Sequence, residues 1–368
     1  MSFIDDSASY ADYDFEGFWR TCTDEKIQRC LAKDHLTPHD FLTLLSPKAA
    51  DHIEAMAQKA RRLTIQHFGR IIQLYMPLYI SNFCNSECVY CGFNRRHPII
   101  RRKLTLKEID IEAQKIAQTG MRHVLVLTGE APKQTPMSYL IAAVELLKSY
   151  FASISIEMFP MDTSDYVQLQ KAGVDGMTIY QEVYDRDIYQ QVHLAGRKMD
   201  YQYRLETADR GAQAGFRWVN IGALLGLAEP RKETFFTGLH AHYLTNRYLE
   251  TEVSISLPRI NPAEGDFKPN FLVDDRTFVQ FLTAFRLFLP RAGIPISTRE
   301  HALLRDRLMH LGVTRLSAGS RTDVGGYADQ KHASCKQFEI SDERNVPQMV
   351  AAIKAAGLQP VFKDWELF

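Results

Sequence analysis

Ile71-Ile72-Gln73-Leu74-Tyr75-Met76-Pro77-Leu78-Tyr79-Ile80-Ser81-Asn82-Phe83-Cys84-Asn85-Ser86-Glu87-Cys88-Val89-Tyr90-Cys91 opens as an apolar β-type run and ends in three closely spaced cysteines. The run Ile72–Ile80 reads as a strand. Downstream of it, seven more short apolar runs alternate with helix-length segments: His123–Thr128, Ser153–Phe159, Gly176–Gln181, Trp218–Ala223, Glu252–Leu257, Pro295–Thr298 and Arg315–Ser317. Strands separated by helices are the mark of βα units around a parallel sheet, and eight units close naturally into a barrel. The expected fold is therefore α/β, a (β/α)8 barrel of the TIM type. An open doubly wound sheet is the alternative, but no Gly-x-Gly-x-x-Gly follows the first strand.

Upstream of Ile71 the chain reads helical. Pro38-His39-Asp40 precedes a Leu-rich turn, and Ser46-Pro47 opens an amphipathic run through Ala60, with proline at a first-turn position where its missing N–H costs nothing. The expected organisation is an N-terminal helical extension over 1–70, the barrel over 71–320 and a short C-terminal extension over 321–368 packed on it.

The 368 residues carry 44 basic and 44 acidic side chains, so no global field draws the molecule to nucleic acid or anionic lipid. Residues 1–6 lack the basic start and apolar run of a signal peptide, and no apolar stretch is long enough to span a bilayer. The expectation is a cytoplasmic protein with small-molecule partners. Six cysteines in such a chain do not make a disulfide framework; closely spaced thiols there serve metals or catalysis.

Cys84, Cys88 and Cys91 have the spacing C-x3-C-x2-C. Soft thiolates at this spacing select an iron–sulfur cluster, zinc or Cu(I). Three cysteines leave one iron of a four-iron cubane without a protein thiolate and open to a ligand. A structural zinc knot recruiting Cys335 or a histidine is the alternative, as is an electron carrier with Cys335 as fourth ligand, but the second ligand pair of a closed zinc site is missing. The five cations Arg95, Arg96, Arg101, Arg102 and Lys103 follow closely and suggest a dock for an acidic partner, or a solvated basic loop. The isolated Cys22, Cys30 and Cys335, and His193, His301 and His332, show no ligand spacing and read as structural.

C-x3-C-x2-C just past the first strand of an α/β barrel resembles the radical S-adenosylmethionine (SAM) superfamily. The resemblance implies a [4Fe–4S] cluster held by Cys84, Cys88 and Cys91, with Tyr90 beside the adenine. It implies further that Thr128-Gly129-Glu130, at the exit of strand two, meets the cofactor's amino group. Glu182 after strand four then takes the ribose hydroxyls and Arg204 the cofactor carboxylate. A threonine stands in that tripeptide where the family carries a glycine. Pro77-Leu78-Tyr79-Ile80-Ser81-Asn82, Tyr180-Gln181-Glu182, His193-Leu194-Ala195-Gly196-Arg197-Lys198 and Ser317-Ala318-Gly319-Ser320-Arg321-Thr322 are similar to the aromatic amino-acid lyase branch, specifically the tyrosine lyases of thiamine thiazole synthesis. That implies cleavage of the Cα–Cβ bond of L-tyrosine to 2-iminoacetate and p-cresol, with SAM going to 5′-deoxyadenosine and methionine.

In such an enzyme Arg299, at the expected end of strand seven, resembles the substrate carboxylate clamp, with Ser317 and Tyr79 as helpers. Flavodoxin with its reductase is the implied electron donor and thiazole synthase the implied receiver of the product. Two sister groups stay in view. The tyrosine-cleaving hydrogenase maturases carry a second C-terminal cysteine cluster, which is not expected here, since only Cys335 follows Cys91. Tryptophan lyases share the barrel motifs.

Overall fold

The computed structural model describes residues 2–328 and 335–363. Eight parallel strands run β1 (Ile71–Ser81), β2 (His123–Thr128), β3 (Ser153–Glu157), β4 (Gly176–Glu182), β5 (Trp218–Ala223), β6 (Glu252–Ser256), β7 (Pro295–Ile296) and β8 (Arg315–Ser317). Their spatial order is β6-β5-β4-β3-β2-β1-β8-β7. The two ends meet through the pairing of Ser254 with Gly293, where Ile255 N–H and Gly293 N–H each donate to the opposite backbone. The expected barrel is what forms.

Alternation decides what faces inward. Along β3, Ile154 and Ile156 pack outward against helices while Ser153, Ser155 and Glu157 occupy the other face, with His123 of β2 contacting Ser155 Oγ at 3.0 Å. Between the strands lie α6 (Leu106–Gln118), α7 (Met137–Leu147), α8 (Thr163–Ala172), α9 (Arg186–Val192), α10 (Tyr201–Leu205), α11 (Thr207–Gln213), α12 (Pro230–Arg247), α13 (Asp275–Phe288) and α14 (Ala302–Leu308). Their starts are capped by sequence: Thr105 and Glu108 form a reciprocal box at α6, and Asp274 Oδ1 accepts from Thr277 N–H at α13.

The helical preface comprises α1 (Phe3–Ser7), α2 (Phe15–Arg20), α3 (Asp24–Ala32), α4 (Pro38–Leu44) and α5 (Ile53–Phe68), with 3-10 turns between. Ser46-Pro47 does start a helix, but the first stretch, Pro47–His52, is 3-10, and the α-helix runs from Ile53 past Ala60 to Gly69, whose φ of 69° ends it. These helices cover α12 and α13: Phe41 stacks on Phe235 and, with ring centroids 4.6 Å apart, on Phe288, and Gln280 Nε2 donates to the carbonyls of Leu44 and Ser46 at 2.8 Å.

Three differences from the expected elements bear on the site. β7 stops at Ile296, because the Thr298 carbonyl turns to accept Ser341 N–H and Asp342 N–H. β4 runs through a bulge at Gln181 to end at Glu182. A further strand, β9 (Gln359–Val361), follows α15 (Val346–Ala355) and pairs with Ile71–Gln73 of β1, so the C-terminal segment joins the sheet instead of only packing on it. Among the described residues no helix is long and apolar enough to cross a membrane. His332 and residues 364–368 lie outside the described residues.

Candidate active site

The carboxyl ends of the strands carry the suspected residues, the location where a barrel can vary its loops while its wall stays packed. The cysteine loop leaves β1 and folds back over the barrel mouth, pinned on several sides. Asn85 N–H donates to the Glu130 carbonyl at 2.8 Å and Gly129 N–H to the Ser81 carbonyl at 3.0 Å. Glu87, Val89 and Leu194 form a short antiparallel ladder that joins the loop to residues 192–195. Gly129 has to be glycine here: a Cβ on it would stand 2.3 Å from the Phe83 oxygen and 3.1 Å from Cys84 Cβ.

Between the first two cysteines, Glu87 is buried and paired with Arg95 at 2.5 Å and Arg96 at 2.7 Å. Arg101 donates to the carbonyls of Asn82 and Phe93 at 2.8 Å and Asn94 at 2.6 Å. Arg102 pairs with Glu108 and Lys103 donates to the Gln134 carbonyl. The basic residues thus staple the loop that holds the cysteines, and only Arg95 and Arg96 combine pairing with substantial exposure.

The Cys88 thiol is buried and the Cys91 thiol is pushed up to about 11, by burial first and then by the Cys84 thiol. Metal ligation requires the thiolates, so binding a cationic core there would release the thiol protons. Among the described residues no three His, Cys, Asp or Glu side chains are tight enough to hold one metal ion; thiolates bound for three corners of a cluster stand farther apart than ligands of a single ion. Cys335 turns its Sγ to the Lys336 carbonyl at 3.3 Å.

Tyr90 OH meets His193 Nε2 at 2.7 Å, while His193 Nδ1 faces the Tyr189 carbonyl at 2.9 Å. The Nδ1 proton therefore goes to the carbonyl and Nε2 accepts from the phenol. Burial holds the histidine neutral, with its pKa lowered to about 2. At the exit of β2, Glu130 Oε2 accepts from Ser86 Oγ at 3.1 Å, while Glu130 Oε1 and Thr128 Oγ1 are buried without a hydrogen-bond partner.

Glu182 is the one non-glycine residue of positive φ among the described residues, at 72°. Such strain persists where the surroundings over-determine it, and here Glu233 of α12 accepts Tyr184 N–H and Asp185 N–H just beyond, at 2.6 and 3.0 Å. The Glu182 carboxylate lies 2.7 Å from Lys198 Nζ and 3.6 Å from Arg204 Nη2, so the acid and the arginine expected from sequence are brought together. Lys198, quoted in a motif but given no role, is the extra member.

Arg299 follows β7 and does not pair with its neighbour Glu300, which instead takes a bidentate contact from Arg259. The Arg299 guanidinium stacks 3.4 Å above the Phe338 ring, is buried enough for its pKa to be lowered, and has no ion-pair partner among the described residues. The Tyr79 hydroxyl donates to Gln337 Oε1 at 2.7 Å. Ser317 is buried with its Oγ unpartnered, and its carbonyl accepts from Arg305, itself paired with Asp342. Glu157, which the sequence reading passed over by extending β3 to Phe159, faces the mouth with its pKa raised to about 7, by burial first and then by Glu182, against the lowering pull of Arg299. Strict alternation from Ser153 was the signal that placed it inward.

A site of unpartnered buried acceptors, a half-buried guanidinium without an ion-pair partner among the described residues, and three thiols can take a cluster, a cationic cofactor with free amino and carboxylate groups, and an anionic group opposite Arg299. The profile of the radical SAM superfamily matches residues 78–236, and that of the biotin and thiamin synthesis associated domain residues 256–359. The chain is 38% identical over 343 residues to 2-iminoacetate synthase of Escherichia coli K12, covering 93% of this chain and 91% of that one. It is 39% identical over 343 residues to 2-iminoacetate synthase of Salmonella typhimurium LT2, covering 92% and 90%. The crystal structure of HydG, a maturase of the [FeFe]-hydrogenase, superposes with a TM-score of 0.89 at 28% identity, covering 96% of this chain and 80% of that one. The chain belongs to the 2-iminoacetate synthase family of radical SAM enzymes and is a carbon–carbon lyase of that family.

Proposed function

We propose that the protein cleaves the Cα–Cβ bond of L-tyrosine to 2-iminoacetate and p-cresol, with SAM converted to 5′-deoxyadenosine and methionine, in the supply of thiazole for thiamine. The observation that carries this reading is the half-buried Arg299, without an ion-pair partner among the described residues, just past β7 at the barrel end that also carries the cysteine loop after β1, in a chain so similar to 2-iminoacetate synthases. A [4Fe–4S] cluster with SAM supplies, when bound, a 5′-deoxyadenosyl radical from one electron. Cys84, Cys88 and Cys91 would hold that cluster.

The remaining work falls to this chain's own side chains. Tyr90, fixed by His193, borders the adenine. Thr128, Gly129 and Glu130 present acceptors to the SAM amino group, and the buried unpartnered Glu130 Oε1 suits that task. Glu182 accepts from the ribose hydroxyls and Arg204 binds the cofactor carboxylate through parallel N–H bonds. Lys198, paired with Glu182 at 2.7 Å, lies beside them. Arg299 grips the tyrosine carboxylate, its planar face already occupied by Phe338 and one N–H of Nη1 turned to the Arg259 carbonyl at 3.4 Å, which leaves its other donors for the substrate. Ser317 Oγ offers one further hydrogen bond and Tyr79 bounds the pocket. The closed barrel excludes water from a reactive intermediate.

The imine product hydrolyses in water, which favours direct hand-over to thiazole synthase. Flavodoxin with its reductase fits as donor at Arg95 and Arg96, whose charge is half spent on Glu87. The test is anaerobic incubation of cluster-loaded protein with dithionite, SAM and either tyrosine or tryptophan. p-Cresol from tyrosine alone is expected; an indole product from tryptophan, or 5′-deoxyadenosine without p-cresol, refutes tyrosine as substrate.

A further inference from the structure

Gln337 stands where the cluster loop and the substrate side meet, in a stretch that neither the cysteine motif nor the strand pattern reaches. Its backbone is held on both sides: Gln337 N–H donates to the Thr322 carbonyl at 3.0 Å, and the Gln337 carbonyl accepts Gly92 N–H at 3.1 Å. The approach is close. A Cβ on Gly92 would stand 2.5 Å from the Lys336 oxygen and 2.8 Å from the Gln337 oxygen, so the residue after the third cysteine is glycine because residues 336–337 cross it.

The side chain bridges two groups. Gln337 Nε2 lies 4.0 Å from Cys91 Sγ, at the outer limit of an N–H···S contact, and Gln337 Oε1 accepts from the Tyr79 hydroxyl at 2.7 Å. The amide orientation follows from donor counting. A metal-bound thiolate has no proton to give, so the NH2 end must face it, which leaves the oxygen for the Tyr79 O–H.

We propose that Gln337 is a positioning residue that donates a hydrogen bond to the Cys91 thiolate, sets the ease of cluster reduction, and is aimed by Tyr79. The inference rests on the cluster reading above but not on tyrosine as the substrate. Hydrogen bonds to the sulfurs of an iron–sulfur cluster favour its more electron-rich state and so raise its potential. Removing the donor makes the one-electron step from [4Fe–4S]2+ to [4Fe–4S]+ harder.

The experiment is a redox titration of the full-length, anaerobically reconstituted protein with dithionite and mediators, followed by electron paramagnetic resonance, with neither SAM nor tyrosine present. In Gln337→Leu the ratio of reduced to oxidised cluster at the wild-type midpoint falls about tenfold, equivalent to about 59 mV for one electron. Gln337→Glu, nearly isosteric and with its backbone pins intact, places an acceptor charge beside the thiolate and falls further. Tyr79→Phe frees the amide to turn and falls less than Gln337→Leu, while Tyr79→Phe combined with Gln337→Leu matches Gln337→Leu alone.

Equal midpoints in wild type and both Gln337 variants overturn the proposal. So does failure of Gln337→Glu to assemble a cluster, which makes the residue structural, and additive shifts from Tyr79→Phe overturn the aiming role. A wild-type protein that reduces normally yet releases no p-cresol refutes the tyrosine assignment and leaves these comparisons standing.

Discussion

Gly129→Ala tests whether the exit of β2 sets the position of the cysteine loop. The new methyl would stand 2.3 Å from the Phe83 carbonyl oxygen and 3.1 Å from Cys84 Cβ. Neither neighbour is the loose end of a long side chain, so the backbone itself must give, by roughly 1 Å to reach ordinary van der Waals distance. Overpacking of this kind costs about 1–3 kcal/mol. The shift falls on the residue adjoining the first ligand, and a displacement of ~1 Å in a catalytic geometry reduces rate by about a hundredfold. Iron content after anaerobic reconstitution, SAM affinity by equilibrium binding and p-cresol formation would be measured beside the midpoint of thermal unfolding. The expected variant folds with a modestly lowered midpoint, retains iron, and loses roughly two orders of magnitude in turnover. Wild-type turnover and SAM affinity in a stable Gly129→Ala protein would refute the reasoning that β2 and the cysteine loop share one fixed geometry.

Arg299→Lys keeps a charge but loses the planar fork; with charge-assisted bonds worth about 1.5–3 kcal/mol, KM for tyrosine rises roughly ten- to a hundredfold while SAM affinity stays, and equal losses in both contradict the assignment. Glu182→Gln removes the acceptor charge between Lys198 and Arg204 and weakens SAM binding by about tenfold, read by isothermal calorimetry; unchanged binding refutes the ribose role. Glu157 has its folded pKa raised to about 7, so between the ordinary carboxylate range and pH 7 the folded state holds a proton that the unfolded chain has lost. Stability contributed by this group is full at lower pH and declines as pH rises through that window, and Glu157→Gln flattens the fall in unfolding midpoint from pH 5 to 8; parallel curves for the two proteins count against it.

The eight strands and the cysteine loop were legible because each has a local cause. Short apolar runs alternate with helix-length segments from Ile72 to Ser317, and C-x3-C-x2-C encodes its chemistry in eight residues, whereas Glu157 was missed because β3 was drawn on to Phe159. The contacts that complete the site were not, since they join residues far apart in the chain: Tyr79 with Gln337, Arg299 with Phe338, and Glu182 with Lys198. Arg299 beside Glu300 invites a local ion pair, yet Arg259 captures the acid and leaves the arginine unpaired. The same blindness applies to the cations after the cysteines, whose composition suggests a docking face. Glu87 and a row of backbone carbonyls make them staples first. β9 was invisible for another reason: three residues, Gln359–Val361, carry too little periodicity to announce a strand.

That short strand also fixes an order of events. β1 begins against Gln359–Val361, continues against β8 and finishes against β2, so the first residues of the strand that launches the cysteine loop wait for partners made long after them. A ribosome must deliver the chain through Val361 before the base of β1 can be sealed. Iron and sulfide inserted during translation would meet a frayed platform, whereas insertion after release meets a finished one.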